Sequence, residues 1–141
     1  MARSKRLNSI LRFAETDERH AAQSLAESGR AVQECQGKLE DMRRYRHEYA
    51  QRLQTGDAMD AGEIQGVHRF LQQLDVAIGQ LEAHSATLHH AKGTKLQQWL
   101  AMRNKAKAVK DIANKWRREE VRRADNKEQF ELDDRAQRKR D

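Results

Sequence analysis

The side chains best suited to chemistry in this chain are six histidines, His20, His47, His68, His84, His89 and His90, and one cysteine, Cys35. A helix holds a metal when two imidazoles stand four residues apart, as in His-Glu-x-x-His, because that spacing puts both rings on one face. No pair here has that spacing, and His84, His89 and His90 point in different directions around a helix. They read as solvated surface groups. Cys35 falls on an apolar seam, where a thiol behaves as a small hydrophobe and not as a nucleophile. As the single cysteine it supports neither an intrachain disulfide nor a cysteine-rich metal site. The chain has no glycine-rich phosphate loop and no nucleophile elbow. The expectation is a protein without enzyme activity, with no catalytic residue, no cofactor and no metal.

Composition explains why no cleft is expected. Of 141 residues, 35% are charged, 37% hydrophobic and 5% aromatic, with seven glycines and no proline. Globular domains carry about 45–50% apolar residues, so a compact core is excluded, leaving helices buried along one stripe or disorder. The absence of proline and the abundance of Ala, Leu, Gln, Glu, Lys and Arg favour helix. No run approaches the ~18 apolar residues of a membrane span, and the N-terminus lacks the apolar core of a signal peptide. A cytosolic protein is expected.

A 4-3 apolar repeat positions the side chains. It runs Leu7, Leu11, Ala14, Glu18, Ala21, Leu25, Ser28, Val32, Cys35, Leu39, Met42, Arg46, Tyr49, Leu53 without a misstep. Leu11, Leu25, Val32, Leu39 and Leu53 are a positions, and Leu7, Ala14, Ala21, Ser28, Cys35, Met42 and Tyr49 are d positions. Glu18 and Arg46 are long enough to reach out of the seam. A turn follows, in which Gly56 suits the left-handed residue that ends a helix. Asp60 and Glu63 form a capping box opening the next helix. The repeat resumes at Ile64 and continues to Trp116, weakened but unbroken at Lys92-Gly93-Thr94-Lys95.

This pattern predicts an all-α fold, a single domain over 1–141 built as an antiparallel two-helix coiled-coil hairpin with unequal arms. The first helix should span 5–55, the turn 56–60, and the second helix 61–138. Paired residue numbers should sum to about 116, so the second helix overhangs the first. Its last ~25 residues would be frayed or unpaired, awaiting another protein.

Two features exceed a plain coil. The net charge of +6 is concentrated: residues 92–123 hold 11 basic and 3 acidic side chains, and the sequence on either side is nearly neutral. That segment also carries Trp99 and Trp116 and lies where the coil runs out of partner, as a docking element would. The second feature is an aromatic shoulder. Tyr45 and Phe70 occupy g positions that should meet on one outer edge, with Ala77 opposite Lys38 and His84 opposite Ala31 along it. Met42, Tyr49 and Leu74 lie just inside. An exposed apolar patch of this kind points to a protein partner.

Tyr45-Arg46-His47-Glu48-Tyr49, the Met-Asp-Ala-Gly turn at 59–62 and Phe70-Leu71-Gln72-Gln73-Leu74-Asp75-Val76-Ala77-Ile78 resemble the flagellar export protein FliJ family. The resemblance covers most of the chain. It implies an antiparallel hairpin like the stalk of a rotary ATPase, cytosolic and peripheral to the membrane at the flagellar base through its partners. Those partners would be the hexameric flagellar export ATPase, the cytosolic domain of the membrane export gate, and export-substrate chaperones. Carried over by position, the gate-binding patch falls on Met42, Tyr45, Tyr49, Phe70, Leu74 and Ala77. Lys38 and Leu81 stand where the family has polar residues. The ATPase-facing end comprises Leu7, Leu11, Val109, Ile112 and Trp116 with Lys105, Lys107, Lys110, Lys115, Arg117 and Arg118. Three alternatives remain open: the equivalent stalk of a virulence-type secretion system, a basic helical nucleic-acid binder using residues 92–123, and a dimeric four-helix scaffold that light scattering would show at twice the monomer mass. The second is disfavoured because the basic residues share no base-reading face and no dimerising zipper is present.

Overall fold

In a computed structural model of the protein, residues 3–55 and 58–140 are described. The fold is all-α, with two long helices packed against each other. α1 runs Arg3–Gln54 and α2 runs Ala61–Arg140, 52 residues against 80. At 1.5 Å per residue these are contour lengths of ~78 and ~120 Å. α1 closes with the Thr55 amide donating to the Gln51 carbonyl at 2.8 Å. Gly56, expected to end that helix, lies outside the described residues. Asp60 opens α2: its Oδ1 accepts the Glu63 amide at 2.8 Å and its carbonyl accepts the Ile64 amide at 3.1 Å. This is an N-cap satisfying donors that the first helical turn leaves free.

The helices form two compact units. Unit 2, residues 23–97, is a helical hairpin containing the turn. Its seam buries Val32, Cys35 and Leu39 of α1 with Leu71, Leu74 and Ile78 of α2. Each large aliphatic residue there contributes about 1.5–3 kcal/mol by leaving water. Cys35 Sγ lies 3.7 Å from the Leu81 carbonyl, a pair whose numbers sum to the expected 116. Pairs made by long side chains sum higher, 119 for Tyr49 with Phe70 and 125 for Arg43 with Glu82. The reason is geometric: every helical side chain leans toward its own N-terminus, so two antiparallel helices reach past the level of their backbones.

Unit 1 comprises the segments 1–22 and 98–141. Its most buried side chains among the described residues are small, Ala14, Ala106, Ala113 and Ser4, and the larger seam residues Leu7, Leu11, Val109 and Trp116 are half-buried. From Val121 to Arg140 α2 remains helical and is exposed everywhere except Asp134. α2 passes through Gly93 without interruption.

Candidate functional site

The aromatic shoulder belongs to unit 2. Leu74 is buried in the seam, Met42, Tyr49 and Ala77 are half-buried, and Tyr45 and Phe70 stand 52% and 37% exposed. The Phe70 ring meets Tyr49, at 4.7 Å between centroids and 62° between planes. The residue sum selected Tyr45 as its counterpart. Because Phe70 leans toward the start of α2, it arrives one helical turn nearer the loop, against Tyr49. The edge-to-face pair holds both rings, and Arg52 places its guanidinium 4.7 Å above Tyr49. Tyr45 is left projecting.

Interhelical ion pairs close the other edge of the seam, the e edge opposite the shoulder. Arg46, at an a position of the heptad, avoids the seam by reaching across to α2, where its Nε and Nη2 donate to the two carboxylate oxygens of Asp75. This bidentate pair holds the Asp75 carboxyl below its ordinary range, chiefly through the hydrogen bond from Arg46, and raises Arg46 in return. Arg43 makes a second interhelical pair with Glu82 at 3.0 Å. Back on the g edge, farther from the turn than the aromatic shoulder, Ala31, Cys35, Lys38, Leu81 and His84 line a shallow groove. An anchored Tyr49–Phe70 pair beside projecting Tyr45 can bind another protein surface. Among the described residues, no three His, Cys, Asp or Glu side chains gather in a way that could hold a metal ion.

The basic end belongs to unit 1. Leu7, Leu11, Val109 and Trp116 are half-buried, while Lys105, Lys107, Lys110, Lys115, Arg117 and Arg118 are exposed. Ile112 is 44% exposed. Arg3, Arg6, Leu7, Ile10 and Trp116 line an open groove, and the Arg3 guanidinium lies 5.6 Å from the Trp116 ring centre.

Two features of this end escaped the reading of the sequence. The first is Glu120. α1 has no acidic residue in its first turn, so its free N–H groups lack a carboxylate of their own. Glu120 supplies one from α2: Oε1 accepts the Ser4 amide at 3.2 Å and Oε2 accepts the Ser4 hydroxyl at 2.6 Å. The positive end of a helix favours such a charge. The carboxyl is accordingly held below its ordinary range, first by the Ser4 hydroxyl and then by the Ser4 amide. The missing acid in the first turn of α1 was the available signal. The second is Ile10 and Phe13, three residues apart and off the seam, which are 50% and 74% exposed. Their signal was an apolar pair outside the heptad in a stretch with no acidic residue before Glu15.

A family model described as flagellar FliJ protein matches residues 3–140. No curated protein and no solved structure matches the chain.

Proposed function

The chain belongs to the flagellar FliJ protein family, which places it in flagellar, type III protein export, and from that premise we propose that it is the non-enzymatic stalk of the export ATPase. The basic end of unit 1 enters the channel of the six-subunit ATPase ring and promotes its assembly. The aromatic shoulder of unit 2 engages the cytosolic domain of the membrane export gate. Chaperones that escort export substrates are the third class of partner. The protein reaches the cytoplasmic face of the membrane through these contacts; no helix among the described residues is long and apolar enough to cross it.

The observation that carries the reading is the distribution of charge over the two units. Residues 3–22 and 98–123, the two-helix part of unit 1, carry 14 basic and 6 acidic side chains. Unit 2 carries 9 and 10. A basic helical pair with half-buried Leu7, Leu11 and Trp116 suits a channel with acidic or polar walls, where opposite charge accelerates encounter and apolar contact retains the complex. The nearly neutral unit 2 presents instead projecting Tyr45 and the Tyr49–Phe70 pair, the kind of residue that dominates protein interfaces.

The two roles separate experimentally. Mixing the protein with the purified export ATPase should raise ring formation and the rate of hydrolysis, and no change in either would count against the stalk role. A Tyr45→Ala, Phe70→Ala double substitution should weaken binding to the gate domain at least ten-fold, the scale of losing one or two aromatic anchors. Helicity by circular dichroism should hold. Unchanged gate affinity would remove the shoulder from the account.

A further inference from the structure

The heptad assignment puts Ile10 and Ile112 at g positions and Phe13 at a c position. In an antiparallel pair the two g edges lie side by side, with the c positions flanking them. One strip of unit 1 therefore runs from Phe13 through Ile10 and Ile112 to Lys115. All three apolar members are exposed, at 74%, 50% and 44%. Arg3, Arg6 and Lys105 share the strip, and so do two acidic residues, Asp17 and Glu119, each one helical turn beyond Phe13 and Lys115. The apolar side chains project from the strip, whereas seam residues such as Ala14 and Ala113 are buried.

We infer that this strip binds the surface of an anionic lipid bilayer directly. A helical face with aromatic and aliphatic side chains on one strip and Lys and Arg beside it is the composition that settles at the boundary of headgroups and acyl chains. Phe13, Ile10 and Ile112 enter that boundary, and Arg6, Lys105 and Lys115 meet lipid phosphates. Charge complementarity selects the occupant: the two-helix part of unit 1 carries an excess of basic side chains, 14 against 6, and juxtamembrane basic residues are drawn to anionic leaflets. Nucleic acid offers the same phosphates but no apolar phase for two isoleucines and a phenylalanine. This contact is separate from the stalk role and uses part of the same end, so a chain seated in the ATPase ring and a chain on the bilayer are alternatives.

The test is co-sedimentation of the full chain with phosphatidylcholine vesicles, with and without phosphatidylglycerol, and with duplex DNA as a competing polyanion. Binding should require phosphatidylglycerol and weaken with salt. Phe13→Ser should reduce it roughly ten-fold, from the loss of one buried aromatic side chain. Arg6→Gln and Lys115→Gln should each reduce it roughly five-fold. All these positions are exposed, so circular dichroism should register no loss of helix. Three outcomes overturn the inference. One is no binding to phosphatidylglycerol vesicles. Another is binding that Phe13→Ser and Ile10→Ser leave unchanged and that DNA displaces, which marks a nonspecific polyanion site. The third is a dimer in light scattering that Phe13→Ser dissolves, which means a second copy covers the strip. The assay contains no ATPase, so its failure leaves the stalk role untouched.

Discussion

Gly93 and Gly79 lie inside α2, and a Cβ built on either would meet no atom within 4 Å. Alanine at each site should therefore stabilise the fold without any repacking. Glycine in a helix interior is about 0.8–1 kcal/mol less favourable than alanine, since more backbone freedom is lost on folding. The two sites are 14 residues apart, ~21 Å along the helix, so their effects should add. The double Gly79→Ala, Gly93→Ala substitution should gain about 2 kcal/mol. With an unfolding entropy of about 2.1 cal/mol/K per residue, a chain of this size shifts by about 3 °C per kcal/mol, so Tm should rise by about 6 °C. Thermal melting followed by circular dichroism reads the effect. Gly62→Ala is the control, because its Cβ would meet Asp60 Oδ1 at 3.4 Å, the atom that caps α2; no gain is expected there. An unchanged or lower Tm for Gly93→Ala would refute the reasoning. It would mean that the weak seam at Lys92–Lys95 is a real break in α2.

Two further outcomes follow from the packing and the hydrogen bonds. Leu39 is buried in the unit 2 seam, so Leu39→Ala should cost about 2–5 kcal/mol, whereas Phe130→Ala on the exposed tail should change stability by no more than about 0.5 kcal/mol; chemical denaturation distinguishes them, and equal effects would contradict the assigned seam. Glu120 has its carboxyl held below its ordinary range by Ser4, so its charged form is favoured in the fold. Its contribution is complete above the unfolded value of about 4.3 and fades as pH falls through the lower folded value. Glu120→Gln should remove that part of the acid dependence, and parallel stability–pH curves for the two proteins would exclude the cap.

Angular position was legible in the sequence; axial reach was not. The heptad fixes which face of a helix each residue occupies, and Val32, Cys35, Leu39, Leu71, Leu74 and Ile78 are the buried seam as the repeat requires. The Asp60–Glu63 contact was legible for a similar reason, since a cap is local in the chain. Phe70 shows the limit. Its face was correct, but its ring contact depends on how far side chains lean along two antiparallel axes, which a repeat does not encode. Arg46 at an a position signalled only that something must reach outward; Asp75 became its partner through the pairing of the helices. Glu120 and Ser4 are 116 residues apart in sequence, and nothing local links them. Ile10 and Phe13 lie off the seam, where the repeat assigns a residue no role, although exposed apolar residues outside a repeat are the ones that partners read.

The central claim is that two different regions of this chain face two different partners. The most direct measurement places a photo-cross-linking residue at Lys110 or at Tyr45 in otherwise unchanged protein, mixed with both the export ATPase and the gate domain. The account predicts that position 110, on the basic end of unit 1, forms adducts with the ATPase subunit, and that position 45, on the aromatic shoulder of unit 2, forms adducts with the gate. Adducts with the opposite partners, or the same partner from both positions, would contradict it.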